Sequence, residues 1–234
     1  DTGMGFERLV RVMQNKKSNY DTDIFQPVIQ TIAEMAGVRY GDDEQKDIAM
    51  RVVADHLRAV SFALSDGQLP SNNGAGYVIR RILRRAVRYG YTFLGFTEPF
   101  MYKLLPVLVD EMGEQYPELL TQQTLVSKVM HEEESSFLRT LSQGIRRFES
   151  YVEQNVSLKT IDGAFAFELF DTYGFPVDLT NLMAEEKGLS VDMESFSLKL
   201  EEQKNRSRKA AEKTSGDWVV LFDMEPSFVG YDTT

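Results

Sequence analysis

The chain has 234 residues, with 36 Asp and Glu against 26 Lys and Arg for a formal net charge of -10, and no cysteine. That length and a 42% hydrophobic content allow one large or two smaller domains with a real core, while the absence of cysteine excludes disulfides and thiolate metal sites. The acidic balance argues against indiscriminate coating of nucleic acid, so any such contact has to be local. No apolar run approaches the ~20 residues that a spanning helix needs.

Along the chain, helical periodicity dominates. The opening DTGMGFERLV has neither a starting Met nor the basic-then-apolar layout of a signal peptide, and is expected to lie inside a longer protein. Phe6 to Met13 reads as a short helix. Ile24, Val28, Ile32 and Met35 mark the apolar stripe of a second, and Ile48, Val52, Val53, Leu57, Val60 and Leu64 that of a third, ended by Asp66-Gly67. His56 falls on that third stripe and is expected as a hydrogen-bonded core histidine. His131 shares no ligand-like spacing with it, which argues against a His-based metal site or catalytic triad.

Helices are then predicted at 74–89, 98–112 and 117–155. The last is long and amphipathic, and reads as a spine with a bend at Gly144. Shorter ones follow at 162–173, 176–187 and 192–213, the final one closing in a charged tract that reads as a solvated tail. After Gly216, DWVVLFDMEPSFVGYD changes to the aromatic and β-branched pattern of short strands. The expected fold class is mainly α, with the start of a β domain at the C-terminal end.

The stretch LPSNNGAGYVIRRILRRAVRYG contains no acid and five arginines, Arg80, Arg81, Arg84, Arg85 and Arg88. At 100° per residue these arginines fall on one face, and Ile79, Ile82, Leu83, Ala86 and Val87 fall on the other. Like charges at such spacings repel by a few tenths of a kcal/mol per pair, roughly, and nothing local relieves them. Two readings follow: acids from elsewhere in the chain pair with the row, or the row is a phosphate-binding face. Ser71, Asn72 and Asn73 are good helix caps, and Gly74 and Gly76 also suit close approach to a ligand.

DTGMGFERL resembles motif 3 of class II aminoacyl-tRNA synthetases, a strand-turn-helix element with an arginine that contacts ATP. Together with SNYDTDIF, ADHLRAVSF, LPSNNGAGYVIRRILRRAVR and LFDTYGFPVDLT, in that order, the chain resembles the alanine-tRNA ligase family over essentially its whole length. The resemblance implies a cytoplasmic enzyme that joins alanine to tRNA through an alanyl-adenylate, using ATP and Mg²⁺. Motifs 1 and 2 would lie upstream of residue 1. Zinc would belong only to an editing domain downstream, with no cofactor held in this segment.

On this resemblance, residues 1–20 are the end of the catalytic domain, 21–215 a helical tRNA-recognition domain, and 216–234 the start of the β-rich editing region. The segment would bind the acceptor stem of tRNA(Ala) but form no product alone. Motif 3 carries over onto Gly3, Gly5, Glu7 and Arg8, with Arg8 as the catalytic residue at the ATP γ-phosphate. Glu7 and Arg8 also read as an ordinary surface pair.

On the same resemblance, Asn72 and Asp171 would read a G·U wobble pair, third from the end of the acceptor stem, with Asn73, Arg80, Arg81, Arg84, Arg85 and Arg88 around them. Wobble geometry leaves a guanine amino group exposed in the shallow minor groove of A-form RNA, where an amide or carboxylate can meet it. Asp171 also reads as a turn former. The family usually carries Arg where this chain has Ala75. A different reading of the same features is a helical module whose arginine face docks an acidic protein, or RNA without sequence preference.

Overall fold

The computed structural model describes residues 3–155 and 158–214, except the side chains of residues 209–214. Among the described residues are ten helices and one two-stranded parallel sheet, the mainly α class that the periodicity predicts. The strands expected after Gly216 lie outside the described residues.

Each early helix begins or ends on a residue suited to the task. Helix α1 (Phe6–Met13) is followed by a 3-10 turn at Asn19–Asp21, closed by a capping box in which Ser18 and Asp21 bond each other's backbone. Helix α2 (Gln26–Ala36) has Pro27 in its first turn and stops at Gly37, which is left-handed. Helix α3 (Glu44–Ser65) starts at Asp43, whose carboxylate accepts from the N–H groups of Gln45 and Lys46 at 2.9 and 3.1 Å. His56 lies on its mostly buried flank, with Nδ1 3.0 Å from the carboxylate of Asp55.

Helix α4 (Gly74–Leu94) runs past the predicted end at 89, because Gly90 is there for packing and not for termination. The Phe100 ring lies against Gly90, and a Cβ would collide with it. Helix α5 (Met101–Met112) packs on the long helix, which the structure divides at Gln122 into α6 (Pro117–Thr121) and α7 (Gln123–Gln154). Helix α7 is continuous through Gly144, where the absent side chain admits the buried ring of Phe175.

Helices α2, α3, α4, α5 and α7 enclose one core built on Ile29, Ile32, Met50, Leu57, Leu83, Leu104 and Phe137. Each such side chain contributes roughly 1.5–3 kcal/mol on burial. A carboxylate is buried among them. Glu134 of α7 accepts the N–H groups of Phe100 and Met101 at 3.0 and 2.9 Å on one oxygen, and that of Tyr102 at 3.2 Å on the other. It caps α5, whose own cap residue Phe100 has no polar side chain to offer. Burial pushes its pKa up to about 7, against the lowering effect of the three N–H bonds.

The remaining elements join the core through helix α8 (Gly163–Tyr173), which packs on α7 and in turn carries the last two helices. Strands β1 (Thr160–Ile161) and β2 (Ser190–Val191) pair in parallel, with Thr160 opposite Ser190. Each leads into an Asp-capped helix: Asp162 caps α8, and Asp192 caps α10 (Met193–Thr214). Helix α9 (Val177–Glu186) lies between them in sequence, after a turn at left-handed Gly174.

Candidate nucleic-acid interface

The structure brings Asn72 and Asp171, separated by almost a hundred residues, to the walls of one cleft. Its volume is about 460 Å³, and its lining includes Asn73, Tyr77, Arg80, Arg84, Gln203 and Lys204. The loop before α4 supplies one wall. The end of α8 with Gly174 supplies the second, and α10 the third.

On the first wall, Ser71 organises the loop by donating to the Asn73 carbonyl at 2.7 Å. Asn73 stands at the N-cap position of α4, yet its side chain makes no capping bond. Asn72 is held differently: its Oδ1 accepts from Nη1 of Arg80. A guanidinium only donates, so this contact fixes which end of the amide faces it. The Nδ2 donors, and the second lone pair of Oδ1, remain for a ligand.

On the second wall, Asp171 sits in the last turn of α8, and one carboxylate oxygen accepts from Nε2 of Gln203 on α10. The turn itself is made by Gly174, left-handed at φ 71°, so Asp171 does not form it. Asp171 is exposed and offers only acceptors.

The arginine face is not the unbroken solvent-facing row that the helical wheel draws, because α7 and α9 cover much of it. Arg80 forms a two-point pair with Glu133 of α7, Nε at 3.0 Å and Nη2 at 2.6 Å. Arg84 donates to the carbonyl oxygen of Gly174 and lies 5.1 Å over the Phe137 ring, with Glu133 at 3.8 Å. Burial pushes the Arg84 guanidinium down from its ordinary pKa, and Glu133 opposes that shift.

Arg88 is 4% exposed and forms a two-point pair with Glu186 of α9 at 2.7 and 2.5 Å. Arg85 is half-buried. Arg81 retains the most open side chain of these pairs, 42% exposed and 3.6 Å from Asp178. Burial raises the Asp178 pKa, with Arg81 acting against it. Intramolecular acids therefore relieve most of the repulsion within the row.

The motif-3 residues lie elsewhere. Gly5 is the cap of α1, and Glu7 is bonded to Arg58 of α3, not to Arg8. The carboxyl of Glu7 is held below its ordinary pKa first by a backbone N–H, then by Arg58 against partial burial. Arg8 and Gly3 are exposed. Among the described residues, Arg8 makes no side-chain hydrogen bond or ion pair.

Sequence reasoning missed Glu133 and Gln203, each of which fixes a residue it singled out. The signal for Glu133 was three consecutive acids, Glu132, Glu133 and Glu134, on an otherwise amphipathic helix. Successive residues point 100° apart, so the three face solvent, α4 and α5 in turn.

The model of the family described as tRNA synthetases class II (A) matches residues 1–234. The chain is 60% identical over 234 residues, 99% of its length, to the alanine–tRNA ligase of Parabacteroides distasonis. It is 59% identical over 236 residues, 100% of its length, to that of Porphyromonas gingivalis, and 59% over 235 residues, 99% of its length, to that of Cytophaga hutchinsonii. It spans 27% of the length of each of these relatives. With the family matched from end to end, the chain belongs to the class II (A) tRNA synthetases.

Proposed function

We propose that this chain is the part of an alanine-tRNA ligase that reads the tRNA acceptor stem, with residues 21–215 as its recognition unit and residues 1–20 as the end of the catalytic unit. The observation that carries the reading is the convergence of Asn72 and Asp171 on one cleft with complementary hydrogen-bonding capacity. Asp171 accepts only, so it suits an exposed N–H such as the amino group of a wobble-paired guanine. Asn72, with its carbonyl partly committed to Arg80, offers its amide N–H groups to an acceptor on the RNA. Lys204 on the cleft wall and the open side chain of Arg81 on α4 suit phosphate.

The activity implied is ATP-dependent attachment of alanine to tRNA in the cytoplasm. Among the described residues no helix is long and apolar enough to cross a membrane. The exposed Arg8 in the first turn of α1 fits a contact with a nucleotide phosphate, as a helix N-terminus and a guanidinium both favour anions. Among the described residues no group of three or more His, Asp or Glu is placed to hold a metal ion, and Mg²⁺ would arrive with ATP in the whole enzyme. A zinc site would belong to an editing region beyond these residues. The internal pairing of Arg80, Arg84 and Arg88 weighs against an arginine face built to dock an acidic protein.

Titration of ¹⁵N-labelled chain with an acceptor-stem hairpin tests the reading. The expected shifts fall on residues 71–77, 171–174 and 203–204. Shifts confined to α1 and α5, or none at low salt, would contradict it.

A further inference from the structure

Both walls of the cleft lead back to one carboxylate. Glu133 holds Arg80 at two points, and the third N–H direction of that rigid guanidinium then points at Oδ1 of Asn72. The same Glu133 faces Arg84, whose Nη1 holds the carbonyl of Gly174, three residues beyond Asp171. The side chains of Glu133, Arg80 and Arg84 are 17%, 18% and 17% exposed. They form a mostly water-excluded cluster, unlike a surface ion pair that flickers in solvent.

We propose that Glu133 is a positioning residue for recognition: through Arg80 it fixes Asn72, and through Arg84 it fixes the turn after Asp171, so that the two readers keep one separation. This rests on the reading of the cleft as the acceptor-stem site. Asn72 belongs to an exposed loop, and a free Asn side chain there would sample several rotamers. Tethering removes that freedom before RNA arrives, so the bound geometry costs less to reach. Without the carboxylate, Arg80 and Arg84 would be two neighbouring cations with their shared partner gone. Arg84 would keep the Phe137 ring and the Gly174 carbonyl, whereas Arg80 has no other side-chain partner on α7 among the described residues to aim it at Asn72.

The test is Glu133→Gln in this chain, with the same volume but only one acceptor oxygen to serve two guanidinium groups. The affinity ratio for acceptor-stem hairpins carrying G·U or G·C at the third pair should fall by at least about fivefold, the low end of a base-edge contact. In RNA-free ¹⁵N spectra the side-chain amide of Asn72 and the backbone amide of Gly174 should shift. Glu133→Asp should recover part of the ratio. Arg80→Lys, which keeps the charge but loses the fork, should repeat the loss in case Glu133→Gln folds poorly.

A wild-type ratio retained in Glu133→Gln overturns the proposal, as do unmoved Asn72 and Gly174 resonances. If the wild-type chain itself shows no preference for G·U, it is the acceptor-stem reading that fails. The resonances still decide whether Glu133 positions the two side chains.

Discussion

Arg84 and Arg81 lie on one helix and look alike in sequence, yet they should answer RNA differently. The Arg84 guanidinium is engaged with Gly174 and Phe137, whereas Arg81 keeps an open side chain beside Asp178. Arg81→Ala is therefore expected to lower the slope of log affinity against log salt by about 1, the signature of one lost phosphate contact. Arg84→Ala should instead lower the urea midpoint and reduce discrimination, because it frees the turn after Asp171. A second residue-scale prediction concerns Glu134. Burial raises it from an ordinary 4.5 to about 7, so the folded chain binds its proton more tightly than the unfolded chain. That linkage lends stability fully present below about 4.5 and lost as pH rises through about 7. One oxygen carries two of the three N–H bonds, so a proton on the other is tolerated. Urea midpoints of wild type should fall across that window relative to Glu134→Gln, whose profile should be flatter. The reverse slope would contradict the assignment. None of this was legible in the sequence, where Arg84 and Arg81 share a face and Glu134 is one acid among three.

Among the elements, apolar periodicity reproduced the α1 bounds Phe6–Met13 and placed the other helices with only local shifts. It succeeded because most of these helices carry one apolar stripe. It stopped short at Gly90, since sequence cannot distinguish a glycine that breaks a helix from one that admits a ring, and Gly144 is a second glycine of that kind. Strands β1 and β2 were missed, as two residues hold no periodicity. Gly144→Ala decides between the two roles. In an open helix the change would stabilise by roughly 1 kcal/mol. Here the methyl would strike buried Phe175, and overpacking of that kind costs about 1–3 kcal/mol, so net destabilisation is expected in urea unfolding. Between α4 and α9, Glu186→Ala should cost roughly 3 kcal/mol. That is the low end for breaking a buried pair, because Arg88 is buried while Glu186 is a third exposed.

For the molecule as a whole, α7 ties the fold to the cleft. Along one helix it supplies Phe137 to the core, Glu134 to the start of α5, Glu133 to the arginines and the gap at Gly144 for Phe175. The motifs that carry the family resemblance were legible as strings. That acids elsewhere in the chain could pair with the arginine row was legible, but periodicity alone could not name them as Glu133, Asp178 and Glu186 or place Asn72 and Asp171 on one cleft, since those contacts join residues far apart in the chain. On the proposed function, the cleft reads one base pair. The most direct measurement of this is the affinity of the chain for two acceptor-stem hairpins that differ only in G·U or G·C at the third pair, for wild type and Asn72→Ala. The expected result is a G·U preference in wild type that shrinks by about 1–3 kcal/mol in the variant. Equal binding of both hairpins by wild type, or a preference untouched by Asn72→Ala, would contradict it.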